Sequence, residues 1–125
     1  MSSFNQSKIS TEQEVKSAEA EALDLLHHVA IQVEEISASV AWYREHFRCE
    51  VAWEDESWAL IRFKNCSLAL VRPEQHPPHF AIVREDAATF GPLTPHRDGT
   101  ASVYLKDLAG NAVECLKLPE SGAGL

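Results

Sequence analysis

The chain has 125 residues, of which 45% are hydrophobic, and its 19 acidic against 11 basic side chains give a net charge of −8. This length and composition predict one globular domain, and the negative charge disfavours nucleic acid and anionic membranes as partners. No run of 18 apolar residues and no signal-peptide pattern occurs, and the three cysteines form no Cys-x-x-Cys motif. We therefore expect a cytoplasmic protein with reduced thiols.

The two ends of the chain differ in composition from its centre. Residues 1–24 are polar, and Thr11-Glu12-Gln13-Glu14 has the form of a helix capping box, so a tail with a short helix is predicted there. The weak apolar stripe of that helix extends to Leu26. The folded domain is predicted over residues 25–119, and residues 120–125 are predicted to be disordered.

A strand is predicted from His27 to Val33, since apolar and mixed residues alternate there. Val29 and Ile31 would face a helix, and the same parity places His27 with them. The opposite face, which we expect to line a cavity, carries His28, Ala30 and Gln32.

The rest of the first half predicts one helix and three strands. The helix has Ser37 as its predicted N-cap and an apolar stripe that ends at Phe47. The strands are predicted at Cys49–Trp53, Trp58–Phe63 and Ser67–Val71. This half therefore has the order β-α-β-β-β.

A proline-containing linker, Arg72–Pro78, leads to a shorter second half. His79-Phe80-Ala81-Ile82 repeats His28-Val29-Ala30-Ile31 at a distance of 51 residues, which indicates a half-length unit used twice. Residues 86–97 are too few for a full helix and strand, so the second unit is abridged. Its last strands are predicted at Ala101–Lys106 and Asn111–Lys117.

Three side chains predict a metal site. Glu114 lies in an otherwise apolar strand, where a carboxylate is costly unless it is paired or bound to metal. The corresponding first-half position holds Ala69. With His28 and His79, Glu114 makes a two-histidine, one-carboxylate set that suits Fe, Mn, Zn, Ni or Co as a divalent ion. His76 would join only if its linker folds inward.

These segments resemble the vicinal oxygen chelate superfamily, which includes glyoxalase I, extradiol dioxygenases, methylmalonyl-CoA epimerase, fosfomycin-modifying transferases and bleomycin resistance proteins. The resemblance covers residues 27–118. It is carried by the two histidine strands, by Ser39–Phe47 and by the Tyr104–Glu114 segment, which resembles the family's D-P-x-G-N-x-x-E signature with Leu108 in place of proline. The motifs are specific for the fold and not for the reaction.

The resemblance implies an α+β fold in which paired β-α-β-β-β modules form a curved mixed sheet around a central metal cavity. It implies His28, His79 and Glu114 as metal ligands and a homodimer as the assembly. Glyoxalase I and the epimerase typically add a glutamate where this chain has Ala69, which argues against both. Three ligands match the extradiol dioxygenase and fosfomycin transferase patterns instead.

The resemblance also implies roles around the metal. Tyr104 and His96 are the candidate catalytic residues, and Ser102 is a candidate substrate-binding residue. The sequence itself adds Gln32, on the cavity face of the first strand, and Arg62, near the predicted cavity mouth, as further substrate-binding candidates. Ala30 replaces the threonine of fosfomycin transferases, which weakens that match. For Trp53 and Trp58, packing in the core or at a dimer interface is favoured over a place at the cavity mouth.

We therefore expect a small metal-dependent enzyme, similar to a lyase, dioxygenase or transferase, that binds a small oxygen-chelating substrate. The alternative is a non-catalytic module on the same fold that holds a small ligand or an antibiotic.

Overall fold

The structure, a computed structural model, describes residues 23–120. In this part of the chain, one mixed sheet of eight strands curls around a cavity. The elements of the first half are β1 (Leu25–Gln32), α1 (Ile36–His46), β2 (Glu50–Glu54), β3 (Trp58–Arg62) and β4 (Ser67–Val71). Those of the second half are β5 (His79–Val83), a 3₁₀ helix (Ala87–Phe90), β6 (Thr94–Pro95), β7 (Ala101–Lys106) and β8 (Ala112–Lys117).

The strand order is β2-β3-β4-β1-β5-β8-β7-β6, so the two halves meet at the antiparallel pair of β1 and β5. Each half repeats the same pairing: β1 is parallel to β4, and β5 is parallel to β8. His28 lies opposite Ala81, and His79 lies opposite Ala30. The repeat in the sequence is therefore a pseudo-two-fold in the sheet, and the prediction of paired modules is confirmed.

The helix of the first half covers the convex side of its strands. Ile36 and Val40 of α1 pack on Ala59, Ile61 and Leu70, all of which are buried. Burial of such apolar side chains contributes about 25 cal/mol per Å² removed from water, which is what attaches α1 to the sheet. Arg44 and His46 in the last turn complement the helix dipole.

The second half is abridged, as predicted. One turn of 3₁₀ helix stands where the first half has α1, and β6 has only two residues. A short strand that contains a proline offers few free backbone groups to another chain, which suits its place at the edge of the sheet.

Two predictions at element ends are wrong. α1 begins at Ile36 with Glu35 as its N-cap, so Ser37 lies inside the helix. β1 begins at Leu25, so Leu25 and Leu26 belong to this strand and not to the predicted tail helix. The rest of the predicted tail helix, like residues 121–125, lies outside the described residues. Within residues 23–120, no helix has the length and apolar character needed to span a membrane.

Candidate metal centre

Three strands bring His28, His79 and Glu114 together on the floor of the cavity. The Nε2 atoms of His28 and His79 lie 3.3 and 3.2 Å from the same oxygen, Oε1 of Glu114. Two ligands of one ion at bond lengths of about 2.1 Å are separated by roughly 3.0 to 3.4 Å. The three side chains are buried, and one ligand atom from each lies within 4.8 Å of the others. The group could therefore hold a metal ion.

The charge state of the group also fits a cation. Burial acts to raise the pKa of Glu114, but hydrogen bonds from His28, His79 and Ser102 outweigh it and hold that pKa well below its ordinary value. For His79, burial acts to lower the pKa, but the hydrogen bond with Glu114 raises it above its ordinary value. The centre is thus a buried carboxylate that attracts positive charge, either a proton on an imidazole or a metal.

Both histidines are oriented by a second hydrogen bond. His79 Nδ1 donates to the carbonyl oxygen of Pro77 at 2.8 Å, so its neutral form has the Nε2 lone pair free for a ligand bond. Nδ1 of His28 lies 2.8 Å from Nδ1 of His27. If Nε2 of His28 binds metal, its Nδ1–H is the donor and His27 is the acceptor.

His27 lines the cavity, whereas regular alternation had placed it on the helix side. The register between β1 and β5 shifts between Leu26 and His28. A β-bulge of this kind rotates the residue beside it, and this is why the predicted orientation of His27 is wrong.

The two candidate catalytic residues stand beside the ligands. The Tyr104 hydroxyl is 3.3 Å from Nε2 of His79, and burial raises the pKa of this phenol. Nε2 of His96 is 2.7 Å from Oγ of Ser102 and 3.7 Å from Oε2 of Glu114. Both rings line the cavity, so the structure brings the predicted acid–base groups to the candidate metal centre.

Two of the candidate substrate-binding residues lie elsewhere. Gln32 donates from Nε2 to the carbonyl oxygen of His76 at 2.9 Å, and exposed Arg62 pairs with Glu50 at 3.7 Å. Neither is among the residues that line the cavity. Ser102 is buried and forms hydrogen bonds with His96 and Glu114.

The linker between the halves does fold inward. Its His76 lies on the cavity wall, with Nδ1 3.5 Å from the Tyr104 hydroxyl. Burial lowers the pKa of His76 below its ordinary value. The bond from Gln32 to the backbone of this linker is part of what holds it there. In all, five of the six histidines of the chain line this cavity.

The position that corresponds to Glu114 in the first half is Ala69, as predicted. Ala69 pairs with Ala30 in the same register in which Glu114 pairs with Ala81. It is 2% exposed and lies on the cavity wall, where it offers no ligand atom. Within the described residues the candidate centre therefore has three groups that could ligate a metal ion.

Several solved structures have the same fold. A methylmalonyl-CoA epimerase in complex with methylmalonyl-CoA and NH4+ matches with a TM-score of 0.65 and 16% identity, over 78% of this chain and 96% of that one. The methylmalonyl-CoA epimerase from Mycobacterium tuberculosis matches with a TM-score of 0.65 and 14% identity, over 80% of this chain and 91% of that one. The chain has the vicinal oxygen chelate fold. A hypothetical protein from Bacillus halodurans C-125 also matches, with a TM-score of 0.64 and 16% identity, over 78% of this chain and 96% of that one.

No family model and no curated protein matches this sequence. The vicinal oxygen chelate fold is therefore recognised from the structure and from the motifs in the sequence. At identities of 14 to 16%, these matches show the fold alone.

Proposed function

We propose that the protein is a metal-dependent enzyme that binds a small molecule through two neighbouring oxygen atoms. The observation that carries this proposal is the convergence of His28, His79 and Glu114, three buried groups from three strands, on one point of the cavity. Hydrogen bonds to Pro77 and His27 orient the two imidazoles for that role. A bound divalent ion would act there as a Lewis acid toward the oxygens of the substrate.

The residues around the centre supply the proton chemistry. Tyr104 is a neutral phenol at neutral pH, as tyrosine ordinarily is, and burial raises its pKa further, so its O–H can donate a hydrogen bond to a substrate oxygen, or a proton to a strongly basic one. Because the Ser102 hydroxyl donates to Glu114, Nε2–H of His96 is the donor to Ser102 Oγ, and the nitrogen of His96 that can accept a proton is Nδ1. The two groups reach the cavity from β7 and from the β6–β7 hairpin.

The ligand count favours some members of the superfamily as models for the reaction. The structural matches above 0.6 in TM-score include two epimerases, but the resemblance assigns those enzymes a fourth ligand at the position of Ala69. The three-ligand extradiol dioxygenase and fosfomycin transferase patterns fit this chain better. We propose a reaction of that kind, at one of Fe, Mn, Zn, Ni or Co.

Metal analysis of protein purified without a histidine tag tests the proposal. We expect one divalent ion per chain in the wild type, and a loss of at least ten-fold in occupancy in His28→Ala and Glu114→Ala. His46→Ala is the matched control, since His46 is an exposed histidine on α1 whose Nδ1 bonds to the Trp42 carbonyl. Equal occupancy in all four proteins would overturn the assignment of the ligands.

Activity then separates an enzyme from a binding module. Metal-loaded protein is screened with catechols, hemithioacetals and fosfomycin, and turnover of any of them supports catalysis. Protein that takes up no divalent ion, and that binds small aromatics without turning over any of the screened compounds, would favour the alternative of a non-catalytic binding module.

A further inference from the structure

The two walls of the cavity differ in polarity, although they come from equivalent strands. The strands of the two halves pair in the same register, so each of three cavity-facing positions in the first half has an equivalent position in the second half. In the second half these positions hold Ser102, Tyr104 and Glu114. In the first half they hold Trp58, Leu60 and Ala69. The duplicated site is therefore polar on the side of β7 and β8 and apolar on the side of β3 and β4.

A β-bulge adds a second tryptophan to the apolar side. On β2, Val51 pairs with Ile61 and packs in the core under α1, but after a shift in register Trp53 pairs with Leu60. Residues two apart in a regular strand face the same way, so an unbulged β2 would place Trp53 on the α1 side. The bulge turns its ring to the cavity, where Leu60 also lies.

The two tryptophans lie next to each other on the apolar wall. Their rings are stacked, with centroids 6.1 Å apart and an angle of 24° between the planes. The indole Nε1 of Trp53 donates to Oδ2 of Asp55 at 3.1 Å, so its one polar atom is bound to the turn. Trp53 is nevertheless 43% exposed. A large apolar ring that remains open to water beside a cavity is surface that a ligand can cover with a gain in free energy.

We propose that Trp53, Trp58 and Leu60 form an aromatic subsite, which binds the flat aromatic body of a ligand whose oxygen atoms reach the opposite wall. The cavity has a volume of about 340 Å³, which is enough for one or two rings together with a chelating group. The oxygen end of this ligand rests on the proposed function. The assignment of the aromatic end rests only on the positions of Trp53, Trp58 and Leu60 at the cavity.

Two hydroxamic acids with identical oxygen donors measure the contribution of the ring. Acetohydroxamic acid carries a methyl group where benzohydroxamic acid carries a phenyl ring. We expect Zn²⁺-loaded protein to bind the benzo compound about ten-fold more tightly, the gain typical of a stacked aromatic contact. Isothermal titration gives both dissociation constants.

Substitutions locate that gain on the wall. Trp53→Leu and Trp58→Leu should each reduce the ratio of the two dissociation constants toward one and leave the affinity for acetohydroxamic acid within two-fold. Trp42→Leu is the matched control, because Trp42 is a half-exposed tryptophan on α1 outside the cavity. A ratio that stays at ten in both wall variants would overturn the proposal.

A probe without a chelating pair tests the subsite apart from the metal. Metal-free protein is titrated with 2-naphthol, and binding is followed by quenching of tryptophan emission. Binding that is lost in Trp58→Leu supports the subsite, even if no metal binds and the proposed function fails. If acetohydroxamic acid binds the Zn²⁺-loaded protein but the phenyl ring adds nothing, the subsite is wrong while the proposed function stands.

Discussion

Each histidine of the candidate metal centre uses its second ring nitrogen in a hydrogen bond, but the two partners differ in kind. His79 donates to a backbone carbonyl, which no substitution of a side chain removes. His28 is paired with the side chain of His27, so this half of the support can be changed without touching a ligand. Contacts of this type fix the tautomer and the direction of a metal-binding ring.

His27→Leu should therefore weaken metal binding. The leucine cannot accept the Nδ1–H of His28, and the loss of such a contact typically costs roughly ten- to 100-fold in metal affinity. His27→Gln should retain most of the affinity, since its amide oxygen is an acceptor. A competition titration against a chromophoric chelator measures both, with His46→Leu as the control. Affinities for the leucine and glutamine variants that match each other would show that His27 does not act through this bond.

Tyr104→Phe separates proton transfer from metal binding. Burial raises the pKa of this phenol above an ordinary value at which it is already protonated at neutral pH, and its hydroxyl lies 3.3 Å from Nε2 of His79. Loss of a group that donates a proton typically lowers kcat by roughly 100- to 10,000-fold. We expect that loss in any turnover found in the screen, together with unchanged metal content. A variant with normal kcat would exclude Tyr104 as the acid.

The elements of the sheet decide which side chains face the cavity, and two irregularities matter most. The bulges of β1 and β2 lie beside His27 and Trp53, and each residue lines the cavity. The alternation of side chains in the sequence predicts the faces of regular strands only. It therefore placed His28, Glu114 and Ala69 correctly and His27 incorrectly, because no turn residue or spacing marks the bulge. The inward position of His76 depends on tertiary contacts, which the sequence pattern does not contain.

The turn between β2 and β3 is organised by one carboxylate. Oδ1 of Asp55 accepts hydrogen bonds from the backbone N–H groups of Ser57 and Trp58, and Oδ2 accepts from Trp53 and from Arg97. The pKa of Asp55 is lowered below its ordinary value, and the largest contribution comes from the hydrogen bond that the Ser57 hydroxyl donates. Arg97 belongs to the β6–β7 hairpin. Its hydrogen bond to Asp55 therefore links the two ends of the curved sheet.

Asp55→Ala should lower the free energy of unfolding by roughly 1 to 3 kcal/mol, because several hydrogen bonds to one charged group are lost together. It should also change the tryptophan emission, since the Trp53 ring loses its anchor. Asp107→Ala is the matched control: Asp107 accepts the N–H groups of Ala109 and Asn111 in the β7–β8 turn. We expect destabilisation without a change of emission there. Identical emission in the two variants would contradict the role given to Asp55.

At the scale of the whole molecule, the candidate centre joins the two halves of the duplicated fold. His28 comes from the first half, and His79 and Glu114 come from the second. Their contacts therefore add to the pairing of β1 with β5 as a link between the halves. Self-association into a homodimer stays a prediction, which light scattering on the purified protein can test.

In metal-free protein, the pair of Glu114 and His79 should contribute most to stability in mildly acidic solution. The pKa of Glu114 is lowered, so its contribution to stability is full above the ordinary value of 4.5 and is lost as the pH falls. The pKa of His79 is raised, so its contribution is full below the ordinary value of 6.5 and is lost as the pH rises through the raised value. Both contributions depend on the same ion pair, and only between these limits are both present.

Bound metal should restore the stability that metal-free protein loses as the pH rises. An ion can bind only when the imidazoles are neutral, so the stabilisation by metal grows as His79 loses its proton. With free metal at 100 times Kd, binding adds about 2.7 kcal/mol to the free energy of unfolding. We expect the difference in Tm between Zn²⁺-loaded and metal-free protein to increase from about pH 5.5 to about pH 8, measured by calorimetry at constant free metal. Glu114→Gln should reduce that increase and shift it to lower pH, because the variant lacks one ligand and the carboxylate that raises the pKa of His79. His46→Ala should retain the wild-type increase.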